Sequence, residues 1–232
     1  MRALRYVLAA AALMATCVSA SNAASGGFVG VLVDMTDPMS AHAARGARVQ
    51  VAKALAELKR GDELAVFVLD VQSPIPREVW WVVSPGRGSE ANPWTEGPEY
   101  MEERFQEQVA APLDSVLVVA MAERSPTSAT ALGDAIAETY VSGECAKSPN
   151  RRRLIIVSDF VENSARFSFY RQRAARALPF ATLNLVGGSV EMIVVLRQRD
   201  ALVQNAHLLG LWIRWFKSCG ARVQFHAVGD KR

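Results

Sequence analysis

The chain has 232 residues, 50% of them hydrophobic, with 26 basic and 23 acidic side chains and a formal net charge of +3. This length is enough for one sizeable hydrophobic core. The near balance of charges lacks the basic footprint of nucleic-acid-binding proteins, so we expect no nucleic-acid partner.

The amino-terminal residues show the three regions of a secretory signal. Arg2 and Arg5 precede an apolar stretch at 6–18, and small residues follow at 19–24. The apolar stretch is too short to span a bilayer as a mature helix. We therefore predict that residues 1–23 are a signal peptide and that the protein is periplasmic or secreted.

Residues 24–232 are predicted to form a single domain. Loss of the signal removes two of the 26 basic residues, which leaves a balance of 24 minus 23, or +1. We expect no transmembrane segment after signal removal, because no second segment is long and apolar enough. A lipid anchor at Cys17 is the alternative to a freely exported protein. Cys145 and Cys219 are a candidate disulfide in an oxidising compartment, and two unpaired thiols are the alternative.

Strand and helix patterns alternate along this domain. In chain order the predicted elements are strand 28–33, helix 41–58, strands 64–69 and 78–83, helices 99–109, 113–122 and 133–140, strands 154–157 and 190–196, helix 202–218 and strand 223–228. Val49 and Val51 are expected to face the core, and the prolines at 74 and 76 favour a hairpin before strand 78–83. The pattern indicates a doubly wound α/β fold: a mostly parallel central sheet with helices on both faces and one antiparallel edge strand.

Three segments rich in side-chain oxygens lie at or beside the ends of apolar runs, at 34–37, 128–130 and 158–159. In an α/β sheet the carboxyl ends of neighbouring strands lie side by side, so residues far apart in sequence meet at that edge. Carboxylate and hydroxyl oxygens are the ligands that hard cations prefer. The sequence therefore predicts one ion site at this edge. Taken singly, each of these residues is also typical of helix capping or loop hydrogen bonding.

The order of these segments resembles a known family. The segments 28–36, 61–67, 130–136 and 154–159 together resemble a von Willebrand factor A-type domain over nearly all of the mature chain. The resemblance extends to a group of exported bacterial proteins of this type that carry an Asp-x-Thr-Asp-Pro start, as at 34–38. It implies the doubly wound fold described above.

The resemblance also implies a metal-ion-dependent adhesion site. In that family a D-x-S-x-S segment, a loop threonine and a later aspartate hold Mg²⁺, or Mn²⁺ or Ca²⁺. The matching residues here are Asp34, Thr36, Thr130 and Asp159. Pro38 stands where the family has its second serine, so Ser40 or Asp37 would have to replace that ligand. We include Ser40 in the predicted metal set.

The function implied by the resemblance is an exported protein-binding module, not an enzyme. Its cation would leave one position open for a carboxylate of a protein partner. One alternative is a metal-free scaffold of an envelope complex, which would use the last helix or loop 84–98. A second is a haloacid dehalogenase-like phosphatase with Asp34 as nucleophile. Those enzymes usually place an aspartate where this chain has Thr36, which disfavours that alternative.

Overall fold

The computed structural model describes residues 26–70, 73–122, 130–141 and 152–229. The predicted signal peptide, the lipid-anchor alternative at Cys17 and the residues Ser128 and Cys145 lie outside these ranges. The strands are β1 (Phe28–Asp34), β2 (Glu63–Asp70), β3 (Ser73–Val83), β4 (Arg152–Ser158), β5 (Ser189–Leu196) and β6 (Arg222–Gly229). The α-helices are α1 (Ala41–Ala54), α2 (Pro98–Phe105), α3 (Ala111–Ala122), α4 (Leu132–Val141) and α5 (Ala206–Ser218). None of the helices in the described ranges is long and apolar enough to cross a membrane.

The strands form a six-stranded sheet in the order β3-β2-β1-β4-β5-β6. Only the β2–β3 pair is antiparallel. Consecutive residues of each strand face opposite sides of the sheet, and both sides are buried. Helices α1, α2 and α3 cover the side of Val31 and Ile155, whereas α4 and α5 cover the side of Leu32 and Ile156. The predicted doubly wound fold with one antiparallel edge strand is thus confirmed.

Helix α1 begins where the sequence provides a cap. The Ser40 hydroxyl accepts a hydrogen bond from the backbone N–H of Ala43 at 3.1 Å. The buried side of the helix is made of small residues, among them Ala43 and Ala47, which let it pack closely on the sheet. Val49 points away from the sheet and is 48% exposed, so its predicted burial was wrong.

Helices α2 and α3 were predicted as two separate elements, but one π-helical turn, Gln106–Ala110, joins them without a break. Pro112 lies at the start of α3 and has no N–H to donate to the carbonyl four residues earlier. The widened turn just before it accommodates this missing bond, which explains why the proline does not end the helix.

Strand β3 is longer than predicted and contains both prolines, which is tolerated because it lies at the edge of the sheet. Trp80 and Trp81 point to opposite faces of the sheet: Trp80 packs against the core on the side of α1, α2 and α3, and Trp81 is 47% exposed. Helix α5 starts four residues later than predicted, because the Asn205 side chain accepts hydrogen bonds from the N–H groups of His207 and Leu208 and so fixes the first turn.

The Cys219 thiol is buried at the end of α5, and its sulfur accepts a hydrogen bond from the N–H of Leu183. It lies at the amino edge of the sheet, because it comes shortly before β6. The Cys219 thiol is free in the part of the chain that the structure describes. Because Cys145 lies outside the described residues, the disulfide between them stays a prediction.

Candidate functional site

The carboxyl ends of β1, β4 and β5 lie next to one another in the middle of the sheet. Asp34 is the last residue of β1, Ser158 is the last residue of β4, and Arg197 directly follows β5. The doubly wound topology therefore brings together side chains that are far apart in sequence, at the edge where such folds bind ligands.

One buried hydrogen-bonded cluster at this edge consists of Asp34, Thr36, Thr130 and Ser158. Asp34 Oδ1 accepts from the backbone N–H and the hydroxyl of Thr36, at 3.0 and 2.6 Å. Asp34 Oδ2 accepts from the Ser158 hydroxyl at 2.7 Å. The hydroxyl oxygens of Thr36 and Thr130 lie 2.7 Å apart. Each of the four residues is buried. The structure thus brings together Asp34, Thr36 and Thr130, as the sequence predicts.

Thr130 is held by backbone hydrogen bonds to the segment after β4, and the same segment also contacts the start of α4. Its N–H donates to the carbonyl of Asn163, and its own carbonyl accepts from the Asn163 N–H, both at 3.0 Å. The neighbouring Glu162 carboxylate accepts from the Gly133 N–H at 2.9 Å, in the first turn of α4. A side chain on Gly133 would collide with the ring of Phe180, which explains the glycine.

Asp159 lies beside this cluster and makes contacts of a different kind. One carboxylate oxygen accepts from the N–H of Val161 at 2.8 Å, and the other forms an ion pair with Arg197 Nε at 3.0 Å. Arg197 also pairs with the Asp37 carboxylate at 3.3 Å and donates to the Asp37 carbonyl at 3.2 Å. The Arg197 side chain is only 7% exposed. A buried guanidinium therefore links the loop after β1 to the loop after β4.

The electrostatics of the site follow from this geometry. Burial raises the pKa of Asp159, and the Arg197 guanidinium opposes that rise. The carboxylates of Asp34 and Asp37 raise the Asp159 pKa further, because a third negative charge close to them is unfavourable. Asp37 and Asp159 pair with the Arg197 guanidinium, and Asp34 is a third carboxylate near Asp159. When all three are ionised, the negative charge of the site exceeds its positive charge, and a cation could balance it.

The turn after Asp159 has an unusual backbone. Phe160 is a non-glycine residue at a φ of 60°, in the left-handed region, and it is fully buried. Its N–H donates to the Ser158 hydroxyl oxygen at 2.9 Å, and its carbonyl accepts from Trp212 Nε1 at 2.8 Å. Such conformations cost free energy and persist where the surroundings hold them. The core below the site therefore fixes the direction in which Asp159 points.

Ser40 does not join the cluster. Its hydroxyl caps α1 through the bond to Ala43 described above. The loop path past Pro38 instead places Asp37 near the site, where its carboxylate meets Arg197. Of the two replacements considered for the family's second serine, the structure therefore brings Asp37 closer to Asp159 and leaves Ser40 at the start of a helix.

The hydroxyl pair fits a small divalent cation. Mg²⁺ binds oxygen at 2.0–2.1 Å in octahedral geometry, which puts neighbouring ligands about 2.9 Å apart. The separation of 2.7 Å between the hydroxyl oxygens of Thr36 and Thr130 is close to this value. Because the Thr36 hydroxyl donates its proton to Asp34, the 2.7 Å contact is a hydrogen bond that Thr130 donates to Thr36, and each hydroxyl keeps a lone pair that can bind a cation. Within the described residues, no group of three or more His, Cys, Asp or Glu side chains is placed to hold a metal ion. A site here would therefore depend on the hydroxyls.

Two residues of the site were not predicted from the sequence. Arg197 supplies the guanidinium, and Gln204 Nε2 donates to the carbonyls of Asp159 and Val195, at 3.0 and 2.8 Å. Arg197 could have been found from the sequence, because it directly follows an apolar strand, as Asp159 does. Gln204 carries no comparable pattern, since its position depends on the loop between β5 and α5.

No protein-family model and no curated protein matches this sequence.

Proposed function

We propose that this protein is an exported protein-binding module of the von Willebrand factor A-like type, with a divalent-cation site at the carboxyl edge of its sheet. The observation that carries the proposal is the pair of buried hydroxyls of Thr36 and Thr130, 2.7 Å apart and anchored on Asp34. Thr36 and Thr130 would hold the ion directly, and Asp34 and Asp159 would balance its charge, either directly or through water.

The cation would supply a binding position for a carboxylate of the partner. Mg²⁺ keeps several exchangeable positions when few protein atoms bind it, and an anionic oxygen can take one of them. The protein's own contribution is to hold the hydroxyls at a fixed separation and to exclude water from Asp34, which is fully buried. Affinity for the ion is expected to be modest, because few direct ligands are present.

A metal-free scaffold is the second candidate, and the position of Arg197 favours it. A buried guanidinium that pairs with Asp37 and Asp159 already supplies one positive charge at the site. A divalent ion would share these carboxylates with Arg197 and would be repelled by it. The phosphatase alternative has less support, because both carboxylate oxygens of Asp34, its candidate nucleophile, accept hydrogen bonds.

Thermal unfolding with and without cations separates the first two candidates. After chelation, titration with Mg²⁺, Mn²⁺ or Ca²⁺ should raise the unfolding midpoint in a saturable way, by about 5 °C at a hundredfold excess over the dissociation constant. Thr130→Val should abolish the rise, and Thr130→Ser, which keeps the hydroxyl, should retain it. No rise at millimolar concentrations in the wild type would overturn the cation site and favour the metal-free scaffold.

A further inference from the structure

One segment near the site carries a concentration of arginines. Residues 164–177, named here the arginine loop, include Arg166, Arg171, Arg173 and Arg176. The sequence has no Asp or Glu anywhere between Glu162 and Glu191. The arginine loop therefore has an excess of four positive charges with no acidic residue of its own to balance them.

The loop lies at the same edge of the sheet as the candidate site. Its beginning is joined to the Thr130 segment, because Asn163 forms backbone bridges with both Thr130 and Ser168. Further along, the carbonyl of Ala175 lies 2.9 Å from the His207 ring nitrogen Nε2, in the first turn of α5. Helix α5 begins at the carboxyl edge because it follows a parallel strand. The arginine loop thus runs from Thr130 to α5 alongside the site.

Most of these guanidinium groups are free to bind a partner. Arg166 is the exception, because it pairs with Asp134 at 2.9 Å. Arg171, Arg173 and Arg176 are all exposed. Arg171 makes one long hydrogen bond, of 3.4 Å, to the carbonyl of Ser164. Among the described residues, no side chain forms an ion pair with Arg173 or Arg176.

Exposed apolar side chains lie beside the arginines. Tyr170 is 43% exposed, and its hydroxyl donates to Asp200 at 2.8 Å, which ties the arginine loop to the loop after β5. In that second loop Leu202 is 81% exposed. Arginine and tyrosine next to an exposed aliphatic side chain are typical of the residues that dominate protein–protein interfaces.

We infer that the arginine loop, with Tyr170 and Leu202, docks an acidic segment of a partner protein that also carries an apolar residue. This inference rests on the proposed function, because it assigns the partner chemistry to the same edge of the sheet. Guanidinium groups bind carboxylates through paired hydrogen bonds, and all four basic residues of the loop are arginines. The formal net charge is +3 for the whole chain and +1 without the predicted signal peptide, which is lower than is typical of proteins that bind lipid headgroups or nucleic acid through a broad basic surface.

The test uses a fluorescein-labelled glutamate-rich peptide that contains leucine, with its glutamine counterpart as the uncharged probe. Fluorescence anisotropy at physiological ionic strength would measure binding to the purified protein. The triple variant Arg171→Gln, Arg173→Gln, Arg176→Gln should bind the acidic peptide about tenfold more weakly, since three exposed ion pairs are lost. Leu202→Ser should weaken binding separately, without a change in charge.

A matched control removes the same charge from the opposite edge. Lys53, Lys59 and Arg222 are exposed residues at or near the amino edge of the sheet, and replacing all three by glutamine should leave peptide affinity unchanged. An equal loss in both triple variants would overturn the proposal, because it would reveal attraction by net charge alone. Tighter binding to phosphatidylglycerol vesicles than to the peptide, lost in the arginine variant, would overturn it in favour of a membrane surface.

The peptide and cation titrations together distinguish a failure of this inference from a failure of the proposed function. Peptide binding that persists in chelator, together with no cation-dependent rise in the unfolding midpoint, would support the arginine loop and leave the cation site without support. A cation-dependent rise in unfolding midpoint with no peptide binding would support the cation site and refute the docking of an acidic segment.

Discussion

Two buried aspartates at opposite edges of the sheet have very different partners. At the amino edge, Asp62 Oδ1 accepts from the backbone N–H of Gly27 at 2.6 Å, and Oδ2 accepts from the N–H of Lys59 at 2.9 Å. At the carboxyl edge, the side-chain hydroxyls of Thr36 and Ser158 provide two of the three hydrogen bonds to Asp34. Both residues are buried.

The difference shows that burial of a carboxylate does not by itself indicate a functional site. Backbone N–H groups can only donate, so the two N–H groups bonded to Asp62 fix a turn and have no lone pair to offer a ligand. Hydroxyls donate and accept, so those around Asp34 can keep their bond to the carboxylate and offer a lone pair elsewhere. The chemical type of the partner therefore separates the structural carboxylate from the candidate site. Three substitutions test this comparison.

The largest effect is expected from Arg197→Gln in chelator. Removal of the guanidinium leaves Asp37 and Asp159 buried without their countercharge, at a cost of about 4 kcal/mol in the free energy of unfolding. Urea unfolding would measure this loss. Added Mg²⁺ should recover a large part of it, because the ion restores positive charge at the same place.

The matched control is Arg153→Gln. Arg153 pairs with the buried Glu191 at 2.9 Å, away from the candidate site. Its loss should destabilise the protein to the same extent in chelator and in Mg²⁺. Recovery of both variants by Mg²⁺, or of neither, would contradict a cation site at the carboxyl edge.

A smaller effect is expected from Asp62→Ala at the amino edge. Two charge-assisted hydrogen bonds are lost and two backbone N–H groups are left without their acceptor, which should cost about 3 kcal/mol. Chelator and Mg²⁺ should give the same value by urea unfolding, because this carboxylate only fixes the turn. If the loss in the free energy of unfolding differs between chelator and Mg²⁺, Asp62 is not a purely structural carboxylate and the proposed difference between the two edges is wrong.

The smallest effect concerns the pH dependence of stability through Glu162. Burial raises the pKa of Glu162 to about 7, with the bonds from Ser164 and Gly133 opposing the rise. The unfolded chain loses this proton near the ordinary pKa of glutamate, about 4.3, so the native state is favoured at low pH. The free energy of unfolding should therefore fall as the pH rises from the pKa of the unfolded chain, about 4.3, to the native pKa of about 7.

Glu162→Gln removes the ionisation and should abolish about 2 kcal/mol of this fall, which is measured by urea unfolding at about pH 5 and about pH 8. The remaining pH dependence, including that of Asp159, stays in the variant. Glu138→Gln, at an exposed position of helix α4, is the control and should leave the wild-type profile unchanged. An unaltered profile in Glu162→Gln would show that this carboxylate is already ionised in the native state well below neutral pH.

The fold could be predicted from sequence because its strands are continuous apolar runs and its helices alternate with them. β1 and β4 are examples, since nearly all residues of each are buried on both faces of the sheet. The joining of α2 and α3 could not be predicted, because a proline usually breaks a helix and the π-helical turn depends on packing. The exposure of Val49 could not be predicted, because the apolar spacing in α1 is compatible with more than one rotation of the helix about its own axis.

The candidate site was predicted in part. Asp34, Thr36 and Thr130 converge because strand ends of a parallel sheet meet at one edge, which is a property of topology. Ser40 was assigned to the site from its spacing, but a serine directly before a helix also satisfies a backbone N–H. Arg197 was missed because oxygens alone were considered as site atoms, although a buried cation is the natural partner of clustered carboxylates.

The Phe160 turn has a consequence for the order in which the molecule forms. The Ser158–Asp34 bond joins residues 124 positions apart, and the indole that holds the Phe160 carbonyl lies 52 positions further along the chain. Contacts of such separation require most of the chain to be present and docked. As the polypeptide emerges from synthesis with its amino end first, Asp34 appears early but cannot reach its partners. The edge with the candidate site is therefore completed only when the final helix packs against the sheet, and a chain truncated before that helix would lack it.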